Sequence, residues 1–208
     1  MLTVFYVAIV GYLVGSFPTA YIAGRIRGID IRKAGSGNVG ATNAARVLGK
    51  RFGYFVFIVD VAKGFVAVIL SRMLGGSAQT SALFVDLCGV LGAMFAVIGH
   101  SYPVWLSFKG GKGVATSIGA LFALNWIPAA IVGIVWIVVF LTTRYVSLAS
   151  IGAAIALPIM VTAMYFLKEL SSPVLVYFCF LLAAIVVIRH RSNISRLLTG
   201  TEHRFVKK

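Results

Sequence analysis

Six long apolar runs, at residues 2–23, 53–74, 82–99, 114–143, 145–167 and 173–188, take up most of the 208 positions. About 20 apolar residues cross a bilayer as one helix, so runs of this length leave room for connections but not for a soluble core. Within lipid a backbone must satisfy its own polar groups, which makes each run a helix rather than an open strand. The composition agrees. Hydrophobic residues make up 60% of the chain and charged residues 12%, against about 25% charged in soluble domains. We therefore expect an all-α, polytopic integral membrane protein with a single transmembrane domain over residues 1–208. Disordered, coiled-coil and secreted disulfide-framework classes are excluded. Cys88 and Cys179 lie inside apolar runs without paired spacing and offer no zinc or disulfide framework.

The run 114–143 sets the number of spans. As one helix of 30 residues it would be about 45 Å long, too long for a hydrocarbon core of about 30 Å. Asn125 and Pro128 mark a break, because proline suits a first helical turn and disrupts a helix interior. A break leaves a short fourth helix, 114–125, and seven transmembrane helices in all; without it there are six.

The basic residues choose between these counts. The formal net charge is +14, and in a membrane protein Lys and Arg collect on the cytoplasmic side, so this charge need not imply nucleic acid. No Lys or Arg precedes the first apolar run, while Arg25, Arg27, Arg32 and Lys33 follow it. The first run is thus read as a span with its N-terminus outside, not as a signal peptide. Seven spans then put sixteen basic residues on the cytoplasmic side and leave Arg72 and Lys168 outside, whereas six give ten against eight. Positive-inside asymmetry favours seven, with the C-terminus cytoplasmic.

With seven spans, three polar segments fall on the cytoplasmic face, and their convergence suggests one site. The first is Gly35-Ser36-Gly37-Asn38-Val39-Gly40-Ala41-Thr42-Asn43-Ala44-Ala45-Arg46. Its glycine spacing matches a dinucleotide fingerprint formally, but no strand precedes it, and Ala41 stands where a phosphate-loop lysine would be. Its glycines let backbone N–H groups approach an oxyanion, and a helix starting near Ala41 adds its positive end. Thr42 and Asn43 share helix faces with Arg46. A capped surface loop is the alternative reading.

The second segment joins His100 to Lys109-Gly110-Gly111-Lys112-Gly113 just before the short helix, again an arrangement suited to an anion. The third, from Arg189 to Glu202, carries His190 and Asn193 at helical i, i+3 spacing. Taken singly, each histidine reads as an interfacial or helix-capping group. Three histidines without clustered carboxylates make a poor metal site, so neither metal nor cofactor is expected. Asp60 and Lys63 lie i, i+3 apart near the middle of the second span. They are read first as an internal ion pair, with an ion or proton pathway as the alternative.

Together the motifs Gly35-Ser36-Gly37-Asn38-Val39-Gly40-Ala41-Thr42-Asn43, Lys109-Gly110-Gly111-Lys112-Gly113-Val114-Ala115-Thr116 and Arg189-His190-Arg191-Ser192-Asn193-Ile194 resemble those of the bacterial acyl-phosphate:glycerol-3-phosphate acyltransferases. Asp60-Val61-Ala62-Lys63-Gly64 resembles a further family segment, and Val39 stands where many relatives carry Pro. The resemblance implies a seven-helix enzyme of the bacterial cytoplasmic (inner) membrane. It would transfer a fatty acyl group from acyl phosphate to the sn-1 hydroxyl of glycerol 3-phosphate, giving lysophosphatidic acid and inorganic phosphate, the first step of bacterial phospholipid synthesis. By the same resemblance Ser36, Gly37, Asn38, Thr42, Asn43, Arg46, Gly110, Gly111 and Lys112 bind substrate. His100, Lys109, His190 and Asn193 position groups and stabilise charge.

Soluble-type glycerol-phosphate acyltransferases share a His followed five residues later by Asp; here Trp105 follows His100 and Ser195 follows His190. No general base is therefore assigned. The expected partners are the two substrates and membrane lipids, with no nucleic acid, and the chain is expected to be a monomer. A small transporter or channel for anionic metabolites is the alternative function, resting on Asp60, Lys63 and the short helix. A structural protein binding anionic lipid is a third, explaining the charge but not the glycine and asparagine pattern.

Overall fold

A computed structural model describes residues 2–78, 81–170 and 172–205, and among these residues every regular element is helical. Residues 1, 171 and 206–208, to which the charge argument assigns sides, lie outside the described residues. The helices are α1 (Leu2–Ser16), α2 (Thr19–Ile26), α3 (Ala41–Leu48), α4 (Lys50–Ala78), α5 (Ala82–Ser101), α6 (Val114–Leu124), α7 (Trp126–Thr143), α8 (Val146–Phe166), α9 (Val174–Arg189) and α10 (Arg191–Leu198).

Five apolar stretches are long enough to cross a membrane: Leu2–Ile26, Lys50–Gly76, Ala82–Leu106, Trp126–Thr143 and Val146–Phe166. A sixth is added if α9 and α10, bent by 59° to each other, count as one. The protein is thus an all-helical, multi-pass membrane protein with five or six full-length candidates. The element between the third and fourth of these, α6, has 11 residues and is only about 16 Å long.

The chain divides into two compact units, Met1–Leu124 and Asn125–Lys208. In the first, small residues let helices approach closely. A side chain at Gly11 would come within 2.7 Å of the Gly92 carbonyl, joining α1 to α5, and one at Gly64 would run into the Thr116 carbonyl, joining α4 to α6. Lipid gives helices no hydrophobic drive to associate, so van der Waals packing at these close approaches holds them together instead. The last turn of α6 leaves carbonyls without helical partners. Arg72 of α4 reaches them, donating to Ala123 O at 2.8 Å while also meeting Asp86 at 2.9 Å. A buried cluster of Ala20, Ala23, Ile31, Val39, Ala44, Val56 and Leu106 seats the loop between α2 and α3.

In the second unit, Asn125 caps α7 by accepting from the Ile127 N–H at 3.1 Å. A two-residue connection, with Arg144 in the left-handed region, leads α7 into α8, and Trp136 donates to Ser150 at 3.1 Å across that helix pair. Apolar side chains such as Ile134, Ile137, Phe180 and Leu181 remain exposed, as lipid-facing positions require.

Candidate active site

The loop between α2 and α3 is shaped largely by one amide. Asn43, fully buried in α3, accepts from Ser36 N at 2.9 Å and donates to Ile31 O at 3.2 Å and Ala34 O at 3.1 Å. Both of its donors serve the loop itself. Gly35 (φ 61°) and Gly37 (φ 70°) take left-handed turns that a side chain would strain. At the loop's start Asp30 accepts two bonds from the Arg32 guanidinium, at 2.9 and 2.7 Å. The guanidinium hydrogen bonds hold the Asp30 carboxyl down at about 2 against a weaker opposing effect of desolvation. Val39 turns into the buried cluster, Asn38 and Thr42 are half-buried, and Ser36 and Arg46 are exposed.

The segment after α5 folds back on the helix it leaves. Gly110 N–H donates to Ser101 O at 3.1 Å and Gly111 N–H to His100 O at 3.0 Å. A side chain on Gly111 would collide with the His100 imidazole, and one on Gly110 with the His100 carbonyl. Glycine is thus required for the loop to lie against this histidine. Two consecutive left-handed residues, Ser107 and Phe108, and Gly113 complete the reversal before α6 begins. Lys109 is exposed and Lys112 half-buried immediately ahead of the positive end of α6.

These two segments meet at one small pocket. It is lined by Ser16 to Thr19 at the break between α1 and α2, by Val39, by Asp60 and Lys63 of α4, and by His100, Pro103, Leu106, Gly110 and Gly111. Asp60 and Lys63 form the internal ion pair expected of them, at 2.8 Å. The pair also has neighbours: Thr19 donates to Asp60 Oδ1 at 3.4 Å, Lys63 donates to Phe17 O at 3.2 Å, and His100 Nδ1 lies 3.7 Å from Asp60 Oδ1. Of the expected site residues, His100, Gly110 and Gly111 line this pocket; Ser36, Gly37, Asn38, Thr42, Asn43, Arg46, Lys109 and Lys112 do not. Sequence reasoning gave Thr19 and Asp60 no part beside His100. The signals were the Phe17-Pro18 helix break and an acid one-third of the way along a 29-residue helix.

The third motif belongs to the second unit. His190 closes α9 and opens α10, and its Nδ1 donates to Val186 O at 2.8 Å, so the proton sits on Nδ1. Asn193 Nδ2 donates to Glu202 Oε1 at 2.6 Å. The same carboxylate accepts from Ser147 Oγ at 2.7 Å and from Arg196 Nε at 2.6 Å. Burial pushes the Glu202 pKa up, but these three hydrogen bonds and the Arg196 charge outweigh it and leave the group below its usual range. His190 and Asn193 are both buried. Glu202 was the organising group that the motif spacing did not reveal. No group of three or more His, Cys, Asp or Glu among the described residues is placed to hold a metal ion.

The whole chain is similar to known proteins. The family described as "Glycerol-3-phosphate acyltransferase" has a sequence model that matches residues 5–200. A glycerol-3-phosphate acyltransferase of Aquifex aeolicus (strain VF5) is 43% identical over 201 residues, covering 96% of this chain and 98% of its own. One from Prochlorococcus marinus (strain NATL2A) is 46% identical over 197 residues, covering 93% and 94%. Among solved structures, PlsY, an integral membrane glycerol 3-phosphate acyltransferase, superposes in its glycerol 3-phosphate form with a TM-score of 0.85 at 38% identity, over 98% of this chain and 96% of that one. Its lysophosphatidic acid form gives 0.82 at 37% identity, over 98% and 95%.

Proposed function

Because this chain belongs to the glycerol-3-phosphate acyltransferase family, we propose that it transfers a fatty acyl group from acyl phosphate to the sn-1 hydroxyl of glycerol 3-phosphate. The products are lysophosphatidic acid and inorganic phosphate, and the step opens bacterial phospholipid synthesis. The observation that carries this reading is the meeting of His100 with the Gly110–Gly111 backbone in one pocket, beside a glycine-rich loop and two lysines. Backbone amides, lysines and a helix start suit phosphate oxygens, and the exposed apolar helices suit an acyl chain in lipid.

In the reaction the glycerol hydroxyl oxygen attacks the acyl carbonyl carbon, the bond from that carbon to the phosphate oxygen breaks, and phosphate departs. Acyl phosphate is a mixed anhydride with a good leaving group, so orientation and charge stabilisation supply the catalysis. The hydroxyl proton passes to a phosphate oxygen of the substrates. Arg46, Lys109 and Lys112 neutralise phosphate charge; Ser36, Asn38 and Thr42 hold oxygens through their polar side chains, Gly37 leaves the substrate room against the loop, and Asn43 keeps that loop in shape. Gly110 and Gly111 let the substrate approach the backbone, and His100, His190 and Asn193 orient reacting groups. The buried Asp60 is tied to Lys63 and Thr19, which argues against the ion pathway that a transporter would need.

The chain works as a monomer of the bacterial inner membrane, as one domain with seven spans, the N-terminus outside and the C-terminus cytoplasmic, among membrane lipids. The span count and sidedness are supported by the sixteen-to-two division of basic residues. Labelling of single cysteines on the outer surface at residues 198–205 would overturn that topology. The function is tested with purified protein, acyl phosphate and labelled glycerol 3-phosphate. Lysophosphatidic acid is expected from acyl phosphate and not from acyl-CoA or acyl carrier protein thioester; no product from acyl phosphate would refute the reading.

A further inference from the structure

We propose that Asp60 and Lys63 are positioning residues, forming a neutralised buried carboxylate that holds the His100 ring against the Gly110–Gly111 backbone. The inference rests on the acyltransferase reading of this pocket and deepens it. Asp60 and Lys63 are 2% and 7% exposed. A buried ion pair adds little stability over an apolar pair of the same volume, so stability alone accounts poorly for both charges being there.

Their neighbours point to a local task. Three groups converge on Asp60 Oδ1: Lys63 Nζ at 2.8 Å, Thr19 Oγ1 at 3.4 Å and His100 Nδ1 at 3.7 Å. Lys63 reaches further, donating to Phe17 O at the break between α1 and α2. The His100 ring therefore has a carboxylate beside Nδ1, while its Nε2 edge is where a side chain on Gly111 would collide. Gly111 N–H in turn bonds the His100 carbonyl. All these groups line the same pocket. Lys63, a cation at 2.8 Å, offsets most of the carboxylate's field at the neutral imidazole. Across 3.7 Å Asp60 acts on the imidazole through its charge, which favours the tautomer with the proton on Nδ1 without making the ring a strong base. The carboxylate absent five residues after His100 arrives instead from another helix, 40 positions earlier in the chain.

Two double variants separate positioning from support. Asp60→Leu with Lys63→Met replaces the pair by apolar groups of similar size; Asp60→Asn with Lys63→Met keeps an acceptor for His100. The first should fold, bind glycerol 3-phosphate with KM within about threefold of wild type, and lose about 10- to 100-fold in kcat. The second should recover part of that loss. Equal kcat in both variants, or wild-type kcat in the first, would make the pair a structural clamp and overturn the proposal. Should the variants fail to fold, nitrogen-15 NMR of the histidine-labelled wild type decides, with His100→Gln assigning the signal. Neutral His100 protonated on Nδ1 is expected, and protonation on Nε2 overturns the inference. A wild type inactive with acyl phosphate would refute the function but leave this NMR result standing.

Discussion

Arg72 Nη1 donates to the Ala123 carbonyl at 2.8 Å, so a cation of α4 closes the end of the short helix α6. A helix of 11 residues ends inside an apolar run, and its last carbonyls have no partner within the helix. The guanidinium supplies the missing donor. Arg72→Met removes a charged hydrogen bond of about 1.5–3 kcal/mol and should lower the unfolding midpoint in detergent accordingly. Asp86→Asn should cost only about 0–1 kcal/mol, because the Asp86 side chain is 55% exposed and its pairing with Arg72 is solvated. Equal losses in the two variants would show that the ion pair, not the carbonyl bond, is what matters.

Asn43 holds the first glycine-rich loop by three bonds to Ser36, Ile31 and Ala34. Asn43→Ala leaves the buried Ile31 carbonyl unsatisfied, at about 1–3 kcal/mol, and frees Ser36 N–H and Ala34 O, so it should both destabilise the protein and expose residues 31–43 to protease. Ser36→Ala should leave the loop intact, since Ser36 takes part through its backbone N–H. Any loss of activity in that variant then belongs to the substrate.

Glu202 carries a pH dependence whose sign follows from its lowered pKa. A carboxyl that is more acidic folded than unfolded adds stability above its ordinary value near 4.5, and that stability is lost as the pH falls through the lower folded value. Unfolding midpoints of the wild type should therefore decline below about pH 4.5 more steeply than those of Glu202→Gln. Parallel curves would show that Ser147, Asn193 and Arg196 do not hold the charged form.

Arg46→Ala and Lys112→Ala should each lower kcat/KM by about 10- to 100-fold, the loss expected when a charge-assisted hydrogen bond to phosphate disappears. Wild-type kinetics in both folded variants would assign these cations to topology alone.

No side chain is expected to be an obligatory general base, so His100→Gln and His190→Gln should reduce turnover modestly and leave the shape of the pH–rate profile unchanged. A positioned base contributes about 10²–10⁴-fold and a histidine base leaves a limb near pH 6–7. If one variant binds substrate, loses about a thousandfold in turnover and also loses that limb, that histidine is the base.

The all-helical membrane architecture was legible in the chain because hydropathy is a local property summed over a window. So was the break after Leu124, where Asn125 caps the next helix and Pro128 falls within its first turn. Tertiary structure decided what no window contains. Asp60 meets its i, i+3 partner Lys63 by helical geometry, which the spacing already showed, but its place beside His100 depends on how α4 and α5 pack. Likewise Asn193 reads in sequence as a group facing a substrate, and only the fold returns Glu202 to its amide at 2.6 Å. Helical periodicity assigns residues to faces; side-chain packing between elements distant in the chain determines which of those faces meet.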